Sequence, residues 1–373
     1  MARFRKYIDN SVIEEASNRI AHIYDVFDTV VYMFSGGKDS LVCIHLGWEE
    51  AKKRYGEDAV IDVVFRDEEL IHPSVIDFVN EYRNKPWIRM RWFCAPLENE
   101  TYILTERSTY WAWDPDREWA RPMPDWAEKL EGFDGKKVDQ HSLDAYIAKS
   151  YKGMVAFVTG IRAEESNIRY RSVVNKLHDN YITAPTVPSG VPQPKRVRMA
   201  KPIYDWTEND IMKWLHESKI PWCQIYDAQA ITGVKLRVST PLHFSSVAKL
   251  PKLAQTDPEL WEMVLKVFPE AVLQKRYGKD FDTEGMIAPY RERGWEGVSA
   301  FIAKRFSDDK ESRIQAKKRL AEFKTLSDKD PESFTPDYLL SVLAHGRVDT
   351  TILNNQTVRM KRRAALLAER ENG

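Results

Sequence analysis

Cysteine is scarce in this 373-residue chain, which has only Cys43, Cys94 and Cys223. The three are far apart and odd in number, and the chain has neither a CxxC pair nor the spacing of a zinc or iron–sulfur site. The sequence therefore predicts no iron–sulfur cluster, because such a cluster takes four cysteine ligands. We expect reduced thiols in a cytoplasmic protein, and we interpret Cys223, within IPWCQIYD, as a packed thiol rather than a nucleophile.

The chain also lacks long apolar runs and an excess of charge of either sign. No stretch approaches the ~20 apolar residues of a membrane helix, and the first ten residues, MARFRKYIDN, lack the apolar core of a signal peptide. We therefore expect no membrane association. Acidic and basic residues number 56 each, so a globally basic nucleic-acid binder is not indicated, although local patches remain possible.

Short apolar runs rich in β-formers alternate with helical periodicity over the first two thirds of the chain. Buried strands are predicted at 29–34, 59–65, 88–94 and 154–160, and helices over about 12–24, from residue 39 onward, and over about 73–82. This alternation predicts an α/β fold with a doubly wound, mostly parallel sheet. Ligands of such sheets bind beyond the carboxyl ends of the strands, near a topological switch point.

Two domains are predicted, an α/β domain over about 1–250 and a helical domain over about 251–373. An insert at about 97–150 interrupts the first domain and contains four tryptophans within 16 residues: Trp111, Trp113, Trp119 and Trp126. Three interpretations remain open: a lid that buries its own aromatic side chains, a surface for a protein partner, or a platform on which nucleic-acid bases stack.

Two basic segments are further candidates for ligand contacts. The stretch 185–198, PTVPSGVPQPKRVR, is Pro-rich and predicts a mobile loop, whose Lys195, Arg196 and Arg198 either are solvated or fold over a bound polyphosphate. The basic tail VRMKRRAALLAEREN, at 358–372, is either a solvated helix face or a nucleic-acid contact.

The segment VYMFSGGKDSLVC, at 31–43, combines a buried strand, a glycine-rich turn and a helix start. Two glycines let backbone N–H groups approach an anion closely, and the helix N-terminus adds partial positive charge. Lys38 adds a full charge, and the hydroxyls of Ser35 and Ser40 add donors. The segment therefore predicts a phosphate site. Two roles are open for Asp39, namely capping of the helix start and coordination of a metal ion.

Charged residues also follow two other predicted strands at their carboxyl ends. In TGIRAEESNIRYR, at 159–171, Arg162, Ser166 and Arg169 suit the oxygens of a phosphate or sulfate, and Glu165 suits an arginine or a ribose hydroxyl. Asp67 and Glu68 follow the second strand. They are either exposed carboxylates or ligands of a ribose hydroxyl or Mg²⁺.

The motif SGGKDS resembles the SGGxDS loop of the PP-loop ATP pyrophosphatases. GIRAEESNIR is similar to the GxRxxES…R motif of their phosphoadenylylsulfate (PAPS) reductase branch, and KPIYDWTENDIMKWL, at 201–215, also resembles that branch. The resemblance implies an adenine nucleotide, ATP or PAPS, with Mg²⁺. It implies nucleotide contacts from Ser35, Gly36, Gly37, Lys38, Asp39, Ser40, Asp67, Glu68, Gly160, Arg162, Glu165 and Ser166. We assign Lys38, Asp39, Arg162 and Arg169 to catalysis and Asp39 to the metal.

Within that branch the chain looks most like the immunoglobulin-binding regulator A group of bacteria and phages. The tryptophan-rich insert and VVFRDEELIHPSVIDFV, at 63–79, carry this likeness. The likeness alone implies a ParB/sulfiredoxin-like protein partner.

The chain departs from the PAPS reductases in having no cysteine-containing C-terminal tail, since its last cysteine is Cys223. Thiol-dependent sulfate reduction is therefore disfavoured. Three hypotheses remain: cleavage of ATP at the α-phosphate to adenylylate an acceptor, use of PAPS as a sulfonate donor, and nucleotide sensing without catalysis. We rank adenylylation slightly above sulfonate transfer, and catalysis above sensing.

Overall fold

The computed structural model describes most of the chain. The described residues are 9–130, 137–165, 169, 173, 180–185, 187, 194–231, 238–243, 246–278, 283–331, 334–346 and 348. The basic tail and Ser166 therefore lie outside the described residues, as does part of the Pro-rich stretch.

A six-stranded sheet forms the centre of the α/β part. Its order is β3-β2-β1-β6-β8-β7, and every neighbouring pair is parallel except β7 with β8. The bounds are Thr29–Phe34 (β1), Ile61–Asp67 (β2), Ile88–Cys94 (β3), Val155–Val158 (β6), Ile182–Thr183 (β7) and Val197–Ala200 (β8). All of β6 and five of the six residues of β1 are buried, which requires layers on both faces of the sheet. The predicted α/β fold with a mostly parallel sheet is confirmed.

Local sequence signals set the starts of several helices. α1 begins with the Ser11–Glu14 capping box, α3 with Pro73 at its first position, and α5 with a second capping box between Thr207 and Asp210. The helices of this part are Val12–Val26 (α1), Lys38–Tyr55 (α2), Pro73–Arg83 (α3), Gln140–Lys149 (α4), Glu208–Glu217 (α5) and Ile225–Ile231 (α6).

The bounds of two predicted strands shift in the structure, since 59–65 becomes Ile61–Asp67 and 154–160 becomes Val155–Val158. β2 begins at Ile61 rather than at residue 59, because Ala59 N–H donates to Gly56 O at 3.1 Å in the turn after α2. β6 ends at Val158 rather than at residue 160, although Thr159 N–H still donates to Ala200 O at 2.8 Å.

The insert contains a β-hairpin that the sequence did not predict. Its strands are Glu98–Ile103 (β4) and Glu106–Trp111 (β5), joined by Leu104 and Thr105. Both turn residues have positive φ, 47° and 72°, as type I′ turns require. Neither is Gly, Asn or Asp, so the usual sequence signal of such a turn is missing.

The end of the Pro-rich stretch is also a strand rather than a loop, which corrects the prediction for residues 197–198. Val197 and Arg198 begin β8, where they pair with Val155 and Ala156 of β6. Alternation over four residues is too short to distinguish a strand from a loop when a Pro-rich run precedes it.

The chain forms two compact units that interleave along the sequence. The first comprises residues 1–99, 109–246 and 256–269, and the second comprises 100–108, 247–255 and 270–373. The predicted division at about residue 250 stays a prediction.

The remaining described helices run from residue 250 to residue 344. They are Leu250–Thr256 (α7), Pro258–Val267 (α8), Ala271–Tyr277 (α9), Thr283–Arg291 (α10), Gly294–Arg305 (α11), Lys310–Ser327 (α12) and Pro336–Ala344 (α13). The second unit has an apolar core of its own, in which Val298 and Ile302 of α11 pack with Leu340 of α13. None of the helices in the described ranges has the length and apolar content that crossing a bilayer requires.

Candidate functional site

The glycine-rich loop lies where the strand order of the sheet reverses. From β1 the chain proceeds to β2 and β3 on one side, and later strands add beyond β6 on the other. Tyr32 of β1 pairs with Val158 of β6, so SGGKDS and the segment after Val158 leave the sheet side by side. This crevice is where open α/β sheets bind ligands.

Two glycines are required here by close packing. Gly36 has φ +72°, and a Cβ on it would lie 2.6 Å from Val75 Cγ1. A Cβ on Gly160 would lie 2.6 Å from the backbone nitrogen of Ser40 and from the carbonyl carbon of Asp39. Gly160 therefore permits the end of β6 to approach the start of α2, which is a packing role that the sequence did not suggest.

The first turn of α2 presents backbone donors to the crevice. The helix begins at Lys38 after Gly37, a residue that has no side chain to cap it, and the Lys38 N–H has Tyr226 Oη as its acceptor. The N–H groups and the dipole of a helix start favour an anion.

The two serines brace the loop from inside. Ser40 Oγ accepts from Ser35 N–H at 3.2 Å and donates to Gly37 O at 3.0 Å. Ser35 Oγ lies 3.0 Å from Ser40 Oγ and accepts from Gly37 N–H at 3.3 Å. Both hydroxyls therefore hold the conformation of the loop.

Lys38 is buried, with only 4% of its surface exposed, and it is surrounded by partners. Its ammonium lies 3.2 Å from Glu208 Oε1 and 3.4 Å from Asp39 Oδ2. It also lies 5.1 Å from the ring centroid of Tyr226. The backbone N–H of Lys38 donates to Tyr226 Oη at 3.1 Å. Burial raises the pKa of the Tyr226 phenol, which therefore stays protonated at neutral pH.

Arg162 links the second motif to the loop. Its Nε pairs with Asp39 Oδ1, and its Nη1 lies 3.0 Å from Glu164 Oε2. Burial lowers the pKa of Arg162, but the charge of Asp39 and the hydrogen bond to it outweigh burial, so that its pKa is raised overall. Asp39 thus pairs with arginine and lysine rather than capping α2.

Glu164 and Glu208 close a ring of charges around the crevice. Glu164 Oε2 accepts from the backbone N–H of Glu208 at 2.9 Å, and the Glu208 carboxylate returns to Lys38. Glu165 accepts from Arg162 N–H at 3.1 Å and pairs with Arg169. Glu165 therefore orients an arginine, which is one of its two predicted roles.

Asp67 and Glu68 have different environments, although they are adjacent. Asp67 is buried, and its carboxylate accepts from Trp92 Nε1 at 2.9 Å, from Glu69 N–H at 2.9 Å and from Arg121. Glu68 is half-buried, and burial raises its pKa. Asp67 thus holds the insert through Arg121. The assignment of both Asp67 and Glu68 to the nucleotide stays a prediction.

Glu69 is the anchor of the tryptophan-rich insert. It is fully buried, and its carboxylate forms a two-pronged ion pair with Arg117 at 2.6 and 2.8 Å. It also accepts from the backbone N–H groups of Trp113 and Ala120, each at 2.6 Å. The sequence signal was a third acidic residue after a buried strand, but nothing in the sequence identified its partners.

The four tryptophans of the insert are not equivalent. Trp113 is buried and donates from Nε1 to Asp67 O at 2.7 Å, and Trp119 packs edge-on against it at 5.4 Å. Lys137 lies 3.9 Å above the Trp111 ring, and Trp126 is 43% exposed beneath Arg83. The packing around Trp113 agrees with the interpretation of a segment that buries its own aromatic side chains.

The basic cluster of Lys195, Arg196 and Arg198 lies towards the amino ends of β6 and β8, whereas the crevice lies at the carboxyl ends. This position corrects the hypothesis of a phosphate contact in the crevice. Arg196 donates to Gly153 O at 2.9 Å and to Tyr151 O at 2.7 Å, both of which precede β6. The crevice lies beyond the other end of β6. Charge alone did not reveal the position of these residues because the sequence does not give the direction of β8.

The remaining site predictions concern metals and thiols. Within the described part of the chain, no group of three or more His, Cys, Asp or Glu side chains is placed to share a metal ion. Asp39 offers a single carboxylate, which fits Mg²⁺ held mainly by substrate phosphates.

Cys43, Cys94 and Cys223 are buried, and burial raises the pKa of each thiol. Cys223 is thus a packed thiol, as predicted.

A scan against models of protein families matches residues 29–255 to the phosphoadenosine phosphosulfate reductase domain. The match covers more than half of the chain and contains both motifs of the crevice. The chain belongs to this family. The PAPS reductase-domain family, within the PP-loop superfamily, accounts for the position of SGGKDS after β1 and of the arginine motif after β6.

One curated relative is the Escherichia coli (strain K12) protein named Uncharacterized protein YbdN, 27% identical over 239 residues. The matched region spans 61% of this chain and 57% of that relative's length.

Among solved structures, the family member is similar to a Candida glabrata FMN adenylyltransferase in complex with FAD and inorganic pyrophosphate. That likeness has a TM-score of 0.37 and 13% identity, and it covers 59% of this chain and 64% of the other. A Candida auris PAPS reductase in a phosphate complex gives a TM-score of 0.32 and 14% identity over 63% and 97%. Both TM-scores are below 0.5, so neither likeness extends to substrate or reaction.

Proposed function

We propose that this family member binds an adenine nucleotide through SGGKDS and cleaves ATP at the α-phosphate, transferring AMP to an acceptor and releasing pyrophosphate. The observation that carries this proposal is the N-terminus of α2, which follows Gly37 and begins at a buried lysine in the crevice between β1 and β6. The N–H groups of the first turn and the Lys38 ammonium would hold the terminal phosphates.

The arginines of the second motif would act at the α-phosphate. Arg162 and Arg169 are both held by carboxylates, from Asp39 and Glu165 respectively. Preorganised cations of this kind stabilise the charge that develops when an acceptor attacks phosphorus and the bridging P–O bond breaks. Ser166, Asp67 and Glu68 remain proposed contacts of the nucleotide.

The charge balance of the crevice favours ATP accompanied by Mg²⁺. Lys38, Arg162 and Arg169 face four carboxylates, those of Asp39, Glu164, Glu165 and Glu208. A set with one net negative charge repels a bare polyphosphate, and Mg²⁺ on the phosphates removes much of this repulsion. Asp39 would supply the protein's carboxylate oxygen to that ion.

PAPS is the second candidate ligand, because the matched family is described by PAPS reduction. The buried, high-pKa thiols argue against a thiol-dependent reduction, since thiolates are the reactive form.

Membership in the immunoglobulin-binding regulator A group, and with it a ParB/sulfiredoxin-like partner, stays a proposal that rests on the insert and on VVFRDEELIHPSVIDFV. The sensing hypothesis predicts nucleotide binding without turnover.

The test is a binding and product assay with ATP, PAPS and adenylylsulfate, with and without Mg²⁺, followed by nucleotide chromatography. Mg²⁺-dependent binding of ATP and formation of AMP or an adenylylated acceptor with pyrophosphate would support the proposal. ADP as the sole product, or binding of PAPS but not ATP, would refute it.

Lys38→Met tests the site itself. Loss of a charged hydrogen-bond donor should weaken ATP binding about 10- to 100-fold. The fold should persist, because Asp39 keeps Arg162 and Glu208 is partly exposed. Lys53→Met, on the exposed side of the same helix, is the matched control. Equal affinity in both variants, measured by calorimetry, would show that the loop does not bind the phosphates.

A further inference from the structure

The donors of the proposed phosphate site are already occupied by the protein's own oxygens. Tyr226 Oη accepts from the Lys38 backbone N–H at 3.1 Å, and Glu208 Oε1 lies 3.2 Å from the Lys38 ammonium. One neutral oxygen and one anionic oxygen thus take positions that two phosphate oxygens would need. Both come from the chain segment after β8, from α6 and α5 respectively.

The Tyr226 hydroxyl fits tightly against the loop. A Cβ on Gly37 would lie 3.2 Å from Tyr226 Oη and 3.0 Å from Ser35 Oγ, so the glycine leaves room for the phenol. The Tyr226 side chain is buried, and the Lys38 ammonium lies near its ring. A buried N–H group is costly to leave without an acceptor, so the Tyr226 oxygen stabilises the start of α2.

The Glu208 carboxylate is positioned to move away from Lys38 into solvent. Its side chain is 40% exposed, whereas the Lys38 side chain that it contacts is 4% exposed. Its backbone stays in place in the first turn of α5, where Glu164 accepts from its N–H. Rotation of the carboxylate into water therefore removes this contact without unfolding the helix, and Asp39 remains beside the Lys38 ammonium.

We propose that Tyr226 and Glu208 form an internal pseudo-ligand, which the phosphates of the nucleotide displace, and that this pair selects polyphosphates over monophosphates. The proposal rests on the proposed binding of phosphates at SGGKDS and adds how the site discriminates among them. A diphosphate or triphosphate carries more oxygens and more negative charge than one phosphate group, so it compensates better for the two contacts that it displaces.

Removing either oxygen should therefore tighten binding instead of weakening it. Tyr226→Phe leaves the Lys38 N–H without its acceptor until a phosphate arrives, so we expect a lower melting temperature of the ligand-free protein. We also expect about tenfold tighter binding of inorganic tripolyphosphate. Glu208→Gln should tighten that binding about two- to fivefold, since the pair it breaks is partly exposed. Selectivity for tripolyphosphate over orthophosphate should fall in both variants.

The experiment uses calorimetry and thermal unfolding of the full chain with tripolyphosphate, pyrophosphate, orthophosphate, ATP and AMP. Tyr55→Phe, at the exposed end of α2, and Glu217→Gln, at the other end of α5, are matched controls that should behave as wild type. Unchanged or weaker tripolyphosphate binding in Tyr226→Phe would overturn the proposal, and so would absence of binding in every protein. Binding by the variant but not by the wild type would support it.

The result is separable from the proposed reaction. Tighter anion binding in Tyr226→Phe without pyrophosphate release from ATP would support the pseudo-ligand and refute adenylylation. Turnover of ATP by the wild type with no change of affinity in the variants would support adenylylation and overturn the pseudo-ligand.

Discussion

Gly160 has no Cβ atom, and this absence allows the end of β6 to pack against the start of α2. The shape of the crevice depends on this contact. The Gly160 Cα faces the backbone of Asp39 and Ser40, so a methyl group there would overlap main-chain atoms that cannot rotate away. A flexible side chain could yield to such a contact, but a helix start cannot.

Gly160→Ala should therefore displace the first turn of α2. We expect nucleotide affinity to fall about tenfold or more and the free energy of unfolding to fall by about 1–3 kcal/mol, the usual cost of overpacking. Calorimetry and urea denaturation measure the two effects. Gly56→Ala is the control, because Gly56 has φ +94° at the other end of α2 with no atom near its Cβ. It should cost stability without affecting affinity, and equal losses of affinity would contradict the assignment.

His45 gives a pH dependence at the same scale. Burial lowers its pKa to about 4, with Lys85 acting in the same direction and Glu49 opposing, and its Nε2 lies 2.9 Å from Tyr82 Oη. The unfolded chain binds a proton near pH 6.5, whereas the folded protein does not until about pH 4. Stability should therefore be complete above about pH 6.5 and decline as pH falls towards 4, by roughly 2–3 kcal/mol.

His45→Gln should flatten this decline when urea denaturation is compared at pH 7.5 and pH 5. His216→Gln, at an exposed position of α5, is the control and should keep the wild-type slope. The same slope in His45→Gln as in wild type would show that another group titrates.

At the level of elements, the Glu69 carboxylate joins several groups of the insert. Glu69 has φ +65° and no exposure, and it bonds two backbone N–H groups and the guanidinium of Arg117. A buried charge with so many partners cannot be changed locally without affecting the segment that it holds.

Glu69→Gln should loosen the insert while leaving the sheet folded. Loss of one partner of a buried ion pair costs about 3–5 kcal/mol, so trypsin should cut after Arg117 much faster than in wild type. Asp125→Asn, at an exposed position of the same insert, is the control. Far-UV circular dichroism should stay unchanged, and equal cleavage rates in both variants would contradict the anchoring role.

For the molecule as a whole, all described residues of the crevice belong to the first compact unit. Residues 35–40, 160–165, 208 and 226 fall within its ranges, and the family match ends at residue 255. The second unit has its own apolar core. We therefore propose that nucleotide binding resides in the first unit alone.

A fragment of residues 1–269 should fold and bind ATP within about threefold of the full chain. Calorimetry and circular dichroism measure this, and the full chain is the reference. Failure of the fragment to fold would show that the first unit depends on the second. A folded fragment that does not bind would place part of the site in the second unit.

Local sequence determined the features that depend on neighbours along the chain. The capping boxes at Ser11 and Thr207 and the helix start at Pro73 lie where the sequence placed them, because each depends on residues within one turn. SGGKDS likewise predicted the strand–turn–helix and supports the anion site proposed there, since backbone freedom and helix polarity are local properties.

Tertiary structure alone decided which groups meet in the crevice. The sequence separates Lys38 from Glu208 and Tyr226 by more than 160 residues, and nothing local marks the latter two as its partners. Asp67 and Glu69 likewise bind the insert instead of solvent. Arg196 lies at the amino ends of the strands, away from the crevice. These outcomes depend on strand order, strand direction and burial, which bring distant charges together and determine which carboxylate each cation receives.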